Sequence, residues 1–171
     1  MNLESYIRNV PDFPKPGILF KDITPLLKSS SALRYVIKEF GDYYHDKHID
    51  IVCGIEARGF IFAAPLALEL DKPFVPIRKE GKLPFKTQAT KYKLEYGEAT
   101  VEIHADAVEP GQRILIVDDV LATGGTLAAS GELIESQGGE VAGFAILVEL
   151  LGLNGRSKLG SHDLMSLIQY P

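Results

Sequence analysis

Cysteine is almost absent from this chain. Cys53 stands alone among 171 residues, so no internal disulfide can form, and the chain fits a reducing compartment. Long apolar runs are missing too, and none approaches the roughly 20 residues that a membrane-spanning helix needs. The opening residues Met1-Asn-Leu-Glu-Ser5 hold neither a basic nor an apolar segment, so no secretory signal is visible. Positive charge is not in excess. The 18 Lys and Arg against 23 Asp and Glu give a formal −5, which argues against general nucleic-acid binding. Internal repeats, low-complexity tracts and dividing linkers are lacking as well. These absences leave a cytoplasmic protein, one domain over 1–171, with neither membrane nor nucleic acid as partner. Its 46% hydrophobic content suffices for a real core.

The most informative stretch present is 113–126, Arg-Ile-Leu-Ile-Val-Asp-Asp-Val-Leu-Ala-Thr-Gly-Gly-Thr. Ile114 to Val117 are apolar and mostly β-branched, which predicts a strand buried on both faces of a parallel sheet. Asp118 and Asp119 follow where that strand should end. Ala122, Thr123, Gly124, Gly125 and Thr126 then predict a tight turn opening a helix. Open α/β sheets bind ligands beyond the carboxyl ends of their strands. A Gly-rich turn at a helix start offers free N–H groups to a phosphate. A phosphate cradle beside two acids suits a sugar phosphate with a cis-diol.

The rest of the chain alternates strand and helix patterns. Leu3, Tyr6, Ile7 and Val10 predict a short N-terminal helix stopped by Pro11. Residues 11–25 hold four prolines in 15 positions, which excludes a long helix or a central strand. With Phe13, Ile18, Leu19, Phe20 and Ile23 among them, they read as an ordered, irregular arm. Ser31 is a candidate cap for a helix with its stripe at Leu33, Val36, Ile37, Phe40 and Tyr44. Strands follow at 50–55 and 74–78, with a helix at 60–70 between them. Pro76 suggests a bulge or an edge position. Residues 81–91 read as a loop, and 92–96 with 100–104 as a hairpin. A helix at 126–137 stopped by Gly138-Gly139, a strand at 141–150, a polar turn at 154–158 and a final strand near 163–170 complete the pattern. The expectation is an α/β fold. It has a mainly parallel central sheet flanked by helices, an antiparallel flap at about 81–104 and an N-terminal arm at about 1–27 forming a small hood.

Three predicted strands end in loops suited to anions. One carries Glu56, Ala57 and Arg58, the second Arg78, Lys79 and Lys82, and the third is Ala122–Thr126. Residues 78–93 contain six cations against Glu80, a net +5 on an acidic chain. A nucleotide P-loop would need Gly, four residues, then Gly-Lys and Ser or Thr, and no such run exists. A dinucleotide-binding turn would need Gly-x-Gly-x-x-Gly straight after its strand, without intervening acids. A metal-dependent phosphatase or a phospho-acceptor domain would use paired acids without requiring Thr-Gly-Gly-Thr. His45, His48, His104 and His162 read as surface or packing residues.

Val117-Asp-Asp-Val-Leu-Ala-Thr-Gly-Gly-Thr126 resembles the 5-phosphoribosyl 1-diphosphate signature of type I phosphoribosyltransferases. The arm 11–25, Gly54-Ile-Glu-Ala-Arg-Gly-Phe60, Ile77-Arg-Lys-Glu-Gly-Lys-Leu-Pro84, Leu94-Glu-Tyr-Gly97 and Ser166-Leu-Ile-Gln-Tyr170 resemble the adenine-specific branch of that family. The resemblance runs in order over nearly the whole chain. It implies conversion of adenine and 5-phosphoribosyl 1-diphosphate to AMP and pyrophosphate, with Mg²⁺ held mainly through substrate and water near Asp118 and Asp119. It further implies that these two acids take the ribose hydroxyls, that 122–126 hold the 5′-phosphate and that Arg58 meets the diphosphate. Glu56–Ala57 would be a non-proline cis peptide. Glu95, with Tyr96 beside it on the flap, would lie near the base and handle its proton. Main-chain groups of Leu19, Phe20 and Lys21 would read adenine, with Phe20 flanking the ring. Family members often carry arginine where Lys21 stands and aspartate where Glu56 stands. The family forms homodimers in which the arginine matching Arg78 reaches the partner's site. A phosphoribosyltransferase for another base, or a non-catalytic sensor of the same diphosphate sugar, remains an alternative.

Overall fold

Alternating apolar side chains place the central strands between two cores. In the computed structural model, which describes residues 1–93 and 97–171, a 3-10 turn at Leu3–Tyr6 leads into β1 (Arg8–Pro11). Next come β2 (Leu19–Asp22), the one-turn α1 (Thr24–Leu27), α2 (Ser30–Tyr44), β3 (Ile51–Ile55) and α3 (Gly59–Glu69). The hairpin side follows with β4 (Phe74–Lys79), β5 (Thr87–Lys93) and β6 (Glu98–His104). β7 (Arg113–Leu121), α4 (Gly125–Ser136), β8 (Glu140–Leu150) and β9 (Leu164–Tyr170) complete the chain, with two 3-10 turns at Leu151–Leu153 and Gly155–Leu159.

The main sheet has the order β5-β6-β4-β3-β7-β8-β9. From β4 to β9 its neighbours pair in parallel, and β6 pairs antiparallel with both β4 and β5. Val52, Leu115 and Val117 pack on one face with Val36, Phe40, Phe62 and Leu66 of α2 and α3. Ile51, Cys53, Ile114 and Ile116 face the opposite core with Leu127, Leu133 and Ile134 of α4. The period-2 alternation of β3 and β7 therefore buries both faces, as the β-branched run predicts.

Several boundaries differ from the sequence reading. The N-terminal segment is one 3-10 turn followed by a strand. β1 pairs with β2, Arg8 opposite Asp22, so pairing takes the backbone that a longer helix would have used. The Pro-rich arm is thereby a two-stranded hood, with cis bonds at Phe13–Pro14 and, further on, at Glu56–Ala57. The α2 cap is Ser29, whose hydroxyl accepts from Ala32 N at 3.2 Å, while Ser31 sits inside the helix. Pro76 lies inside the sheet opposite Gly54, but β6 pairs β4 only at Arg78 and Lys79, so no β6 ladder bond is needed at the proline. The predicted loop at 81–91 is half strand, because Thr87–Lys91 pair with Thr100–His104 despite their polar side chains. β7 does not stop at Val117. It runs on to Leu121, supported by the longer β8 through Val120 opposite Val148 and Leu121 opposite Glu149. Asp118 and Asp119 thus sit within a strand rather than after it.

Candidate active site

Four chain segments meet beyond the carboxyl ends of β3, β4 and β7, where a parallel sheet leaves its crevice. They enclose a cavity of about 660 Å³, within the usual range for small-molecule sites. The arm contributes Ile18, Leu19, Phe20 and Lys21. The loop after β3 contributes Glu56, Ala57 and Arg58, and β4 contributes Arg78 and Lys79. Asp118, Asp119, Ala122 and Thr126 form a further wall. A smaller recess of about 80 Å³ opens beside it, lined by Ala122, Thr123, Gly124, Gly125 and Thr126 with Asp118.

The recess is built by the start of α4. Gly124 caps the helix in the left-handed region at φ 79°, and no side chain caps the first N–H groups. No acidic residue occupies the first turn either. An open helix start with its positive dipole end is therefore offered to an anion. Thr126 Oγ1 donates to Tyr92 Oη at 3.2 Å, tying the recess to β5.

The two acids differ in their surroundings. Asp118 Oδ1 accepts from Asp119 N at 2.9 Å. Asp119 is 4% exposed, and Arg58 Nε lies 2.8 Å from its Oδ2. That contact is an ion pair without hydrogen-bond alignment, and Asp119 Oδ2 accepts no hydrogen bond among the described residues. Burial, then the neighbouring Asp119 charge, push the Asp118 carboxyl well above the ordinary range. Burial raises Asp119 as well, opposed by Arg58. The unpartnered Asp119 oxygen beside Asp118 suits a ligand that brings hydroxyls or a cation. Backbone approach is close here: a Cβ on Gly59 would lie 2.7 Å from Val117 O and 3.0 Å from Asp118 Oδ1.

Arg58 also links the acids to the arm, with its guanidinium 5.4 Å from the Phe20 ring centre. Phe20 is steadied by an edge-on contact with Phe13 at 5.1 Å. Lys21 Nζ sits 3.7 Å above the Tyr170 ring and donates to Asn9 Oδ1 at 2.8 Å, fastening the arm to β9. Glu56 holds Arg78 with two bonds, Nε to Oε2 at 3.2 Å and Nη2 to Oε1 at 3.0 Å. It accepts a third from Lys79 N at 3.0 Å. These bonds, the Arg78 one first, lower the Glu56 pKa against the effect of burial. In the single chain Arg78 therefore folds over its own site, its Nη1 on Lys82 O at 3.0 Å.

Most residues singled out from the sequence meet at this cavity or its recess. Lys82 is on neither lining and is tied to the cavity only through its carbonyl, which accepts from Arg78, and Glu95 and Tyr96 lie outside the described residues. Sequence reasoning missed Tyr92, Val101, Val120 and Leu150 on the lining. The alternating pattern of 92–96 puts Tyr92 on a strand, but only the packing of β5 on α4 brings it to Thr126. Among the described residues, no group of three or more His, Cys, Asp or Glu is placed to hold a metal ion. Asp119, with Oδ2 accepting no hydrogen bond, and the neighbouring Asp118 fit a divalent cation carried mostly by ligand oxygens and water.

Comparison with known proteins agrees with this geometry. The family model for the phosphoribosyl transferase domain matches residues 24–164. The adenine phosphoribosyltransferase of Kosmotoga olearia is 54% identical over 170 residues, covering 99% of this chain and 100% of the relative. The crystal structure of adenine phosphoribosyltransferase from Thermoanaerobacter pseudethanolicus superposes with a TM-score of 0.95 at 51% identity, covering 98% of both chains. The Giardia lamblia enzyme in complex with 9-deazaadenine gives a TM-score of 0.94 at 39% identity, covering 99% of this chain and 97% of that one. The chain belongs to the phosphoribosyltransferase family, on its adenine phosphoribosyltransferase branch.

Proposed function

We propose that this chain is a purine-salvage pentosyltransferase that moves the 5-phosphoribosyl group from 5-phosphoribosyl 1-diphosphate to adenine, yielding AMP and pyrophosphate. The observation that carries the reading is the uncapped α4 start beside the Asp118–Asp119 pair, in which Asp119 Oδ2 accepts no hydrogen bond among the described residues. It supplies an anion cradle and a pair of acceptors at the two ends of one ribose phosphate.

The N–H groups at the start of α4, with Thr123 and Thr126, hold the 5′-phosphate. Asp118 and Asp119 accept from the ribose hydroxyls. Arg58, already beside Asp119, turns its remaining donors to the diphosphate, with Lys79 and Arg78 at the same rim. Asp118 and Asp119 would hold Mg²⁺ through substrate oxygens and water, and the ion would supply positive charge at the leaving diphosphate. Leu19–Lys21 read the edge of adenine through main-chain groups, and Phe20 covers its ring. As the C1′–O bond to the diphosphate breaks and the C1′–N9 bond forms, positive charge gathers on the ribose. The two acids offset that charge. Glu95 takes the N9 proton, and the flap with Tyr96 keeps water from the activated sugar.

The proposal extends to a cytoplasmic homodimer. Exposed Leu68 and Ile61 on α3, at 84% and 38%, give a second copy an apolar face to cover. No helix among the described residues is long and apolar enough to cross a membrane.

The test is to mix the protein, Mg²⁺ and the diphosphate sugar with adenine, hypoxanthine, guanine, xanthine or orotate separately, and to identify the nucleotide. The expected result is AMP, from adenine only. IMP or GMP would reassign the base, and no nucleotide with any base would leave a sensor. Glu95→Gln is expected to lower kcat by about 10²-fold; a loss below about threefold, with chemistry rate-limiting, removes that role.

A further inference from the structure

Outside the cavity, the most heavily satisfied buried charge among the described residues is Glu149, near the end of β8 and 2% exposed. Arg156 grips it with two bonds, Nε to Oε1 at 2.9 Å and Nη2 to Oε2 at 2.7 Å. Oε2 also accepts from Ser166 Oγ at 2.6 Å and from Gln169 Nε2 at 3.2 Å. Glu149 stands opposite Leu121 of β7 and Gln169 of β9 in the sheet. The pair therefore pins the 3-10 turn at Gly155–Leu159 to three strand ends. A planar guanidinium in two bonds with a carboxylate fixes direction as well as distance.

What it pins is the residue before Arg156. Gly155 is buried, and its backbone is not among the left-handed glycines, so conformation alone does not demand glycine there. Space does. A Cβ on Gly155 would lie 2.2 Å from Ala122 O and 2.9 Å from Gly124 N. In return, a Cβ on Gly124 would lie 2.3 Å from Gly155 O. The two backbones meet directly, and Leu121 Cδ1 crowds the same Gly155 position at 2.7 Å. Glu149, Gly155 and Arg156 are absent from the lining of both the cavity and the recess. They act on a ligand only through the loop they support.

We propose that Gly155, held by the Glu149–Arg156 pair, is a positioning residue that sets the shape of the 122–126 loop from behind and so tunes recognition of the 5′-phosphate. This rests on the reading that 122–126 hold that phosphate. The distinguishing feature is which substrates respond. 5-Phosphoribosyl 1-diphosphate and AMP both carry a 5′-phosphate, whereas adenine and pyrophosphate do not.

The experiment measures all four KM values, in both reaction directions, for wild type, Gly155→Ala and Arg156→Lys, with thermal melting alongside. Ribose 5-phosphate binding is followed by calorimetry without turnover. Gly155→Ala is expected to raise KM for the two phosphoribosyl substrates about tenfold or more, and to leave adenine and pyrophosphate within about twofold. Arg156→Lys, which keeps the charge and loses the fork, is expected to raise the same two about threefold. Ribose 5-phosphate should weaken by matching factors. Equal increases for all four substrates, or none, would overturn the proposal. If Gly155→Ala does not fold, Arg156→Lys decides alone. A wild type that binds ribose 5-phosphate but makes no nucleotide refutes the enzymatic reading, and the calorimetric comparison of variants still decides the proposal.

Discussion

Asp118, which the proposed reading assigns to a ribose hydroxyl, is a carboxylate whose charge the fold disfavours. Its folded pKa is raised by burial and by Asp119, so the folded chain binds its proton more tightly than the unfolded chain does. Stability from this group is present below the ordinary carboxylate range and is lost as pH rises through the raised folded pKa. Asp118→Asn should therefore raise Tm at neutral pH by about 2–4 °C, the response to roughly 1 kcal/mol in a chain of this size. The gain should vanish at acid pH, where both forms are neutral. The same variant should lose about 10²-fold in kcat/KM for 5-phosphoribosyl 1-diphosphate, as expected when charge stabilisation at the reacting sugar is removed. A melting curve across pH checks the first statement; no gain at neutral pH would refute it. Glu149 has the opposite sign. Arg156, above all, holds its pKa below the usual range against burial, so its contribution is present at neutral pH and is lost on acidification through that lowered value. Glu56 combines both kinds of role, since its carboxylate fixes Arg78 and the start of the basic loop together. Glu56→Gln keeps the length but loses the charge, and should raise KM for the diphosphate sugar while leaving adenine nearly unchanged.

The β5–β6 hairpin is the element that the proposed mechanism closes over the substrate, and its stem is anchored. Tyr92 meets Thr126, Gln88 accepts from Ser136 Oγ at 3.0 Å, and Gln137 donates to His104 O at 2.8 Å. Glu102 braces the base by accepting from Gly81 N at 3.0 Å. Closure over substrate should leave this stem in place. Hydrogen exchange of 88–92 and 100–103 is expected to be slow in the free protein and little changed by AMP. A large gain in protection along the whole stem would mean that the entire hairpin swings. This element also shows what a sequence can convey. The alternation in 100–104 marked β6, but the polar run Thr87–Lys91 concealed β5, because its side chains face solvent or α4 rather than a core. The β-branched runs of β3 and β7 were legible because burial on both faces leaves one residue class at every position. Asp118 and Asp119 were legible as a site but not as strand residues, since the extension of β7 depends on the length of β8, which no local pattern carries. Gly155 was illegible for a similar reason: its contact lies across some thirty residues, and nothing near it in the chain points to the loop it supports.

At the scale of the molecule, an acidic chain carries a basic stretch over 78–93, whose Arg78 and Lys79 stand at the rim of the cavity. Lys79, Lys82, Lys86, Lys91 and Lys93 are exposed. A polyanionic sugar should be drawn to this rim, whereas neutral adenine should not. The kcat/KM for 5-phosphoribosyl 1-diphosphate should then fall severalfold between low and physiological salt, while that for adenine changes little. Equal salt sensitivity for both substrates would argue against steering. In the proposed reading the carboxyl ends of the central strands take the sugar and phosphate, and the hood, fastened through Lys21 to Tyr170 of β9, takes the base. The most direct measurement of this account is a crystal structure of the protein with AMP. It predicts the 5′-phosphate on the N–H groups at the start of α4, the ribose hydroxyls on Asp118 and Asp119, and adenine against Phe20. A phosphate held at Arg58 or Arg78, with the 122–126 recess empty, would contradict it.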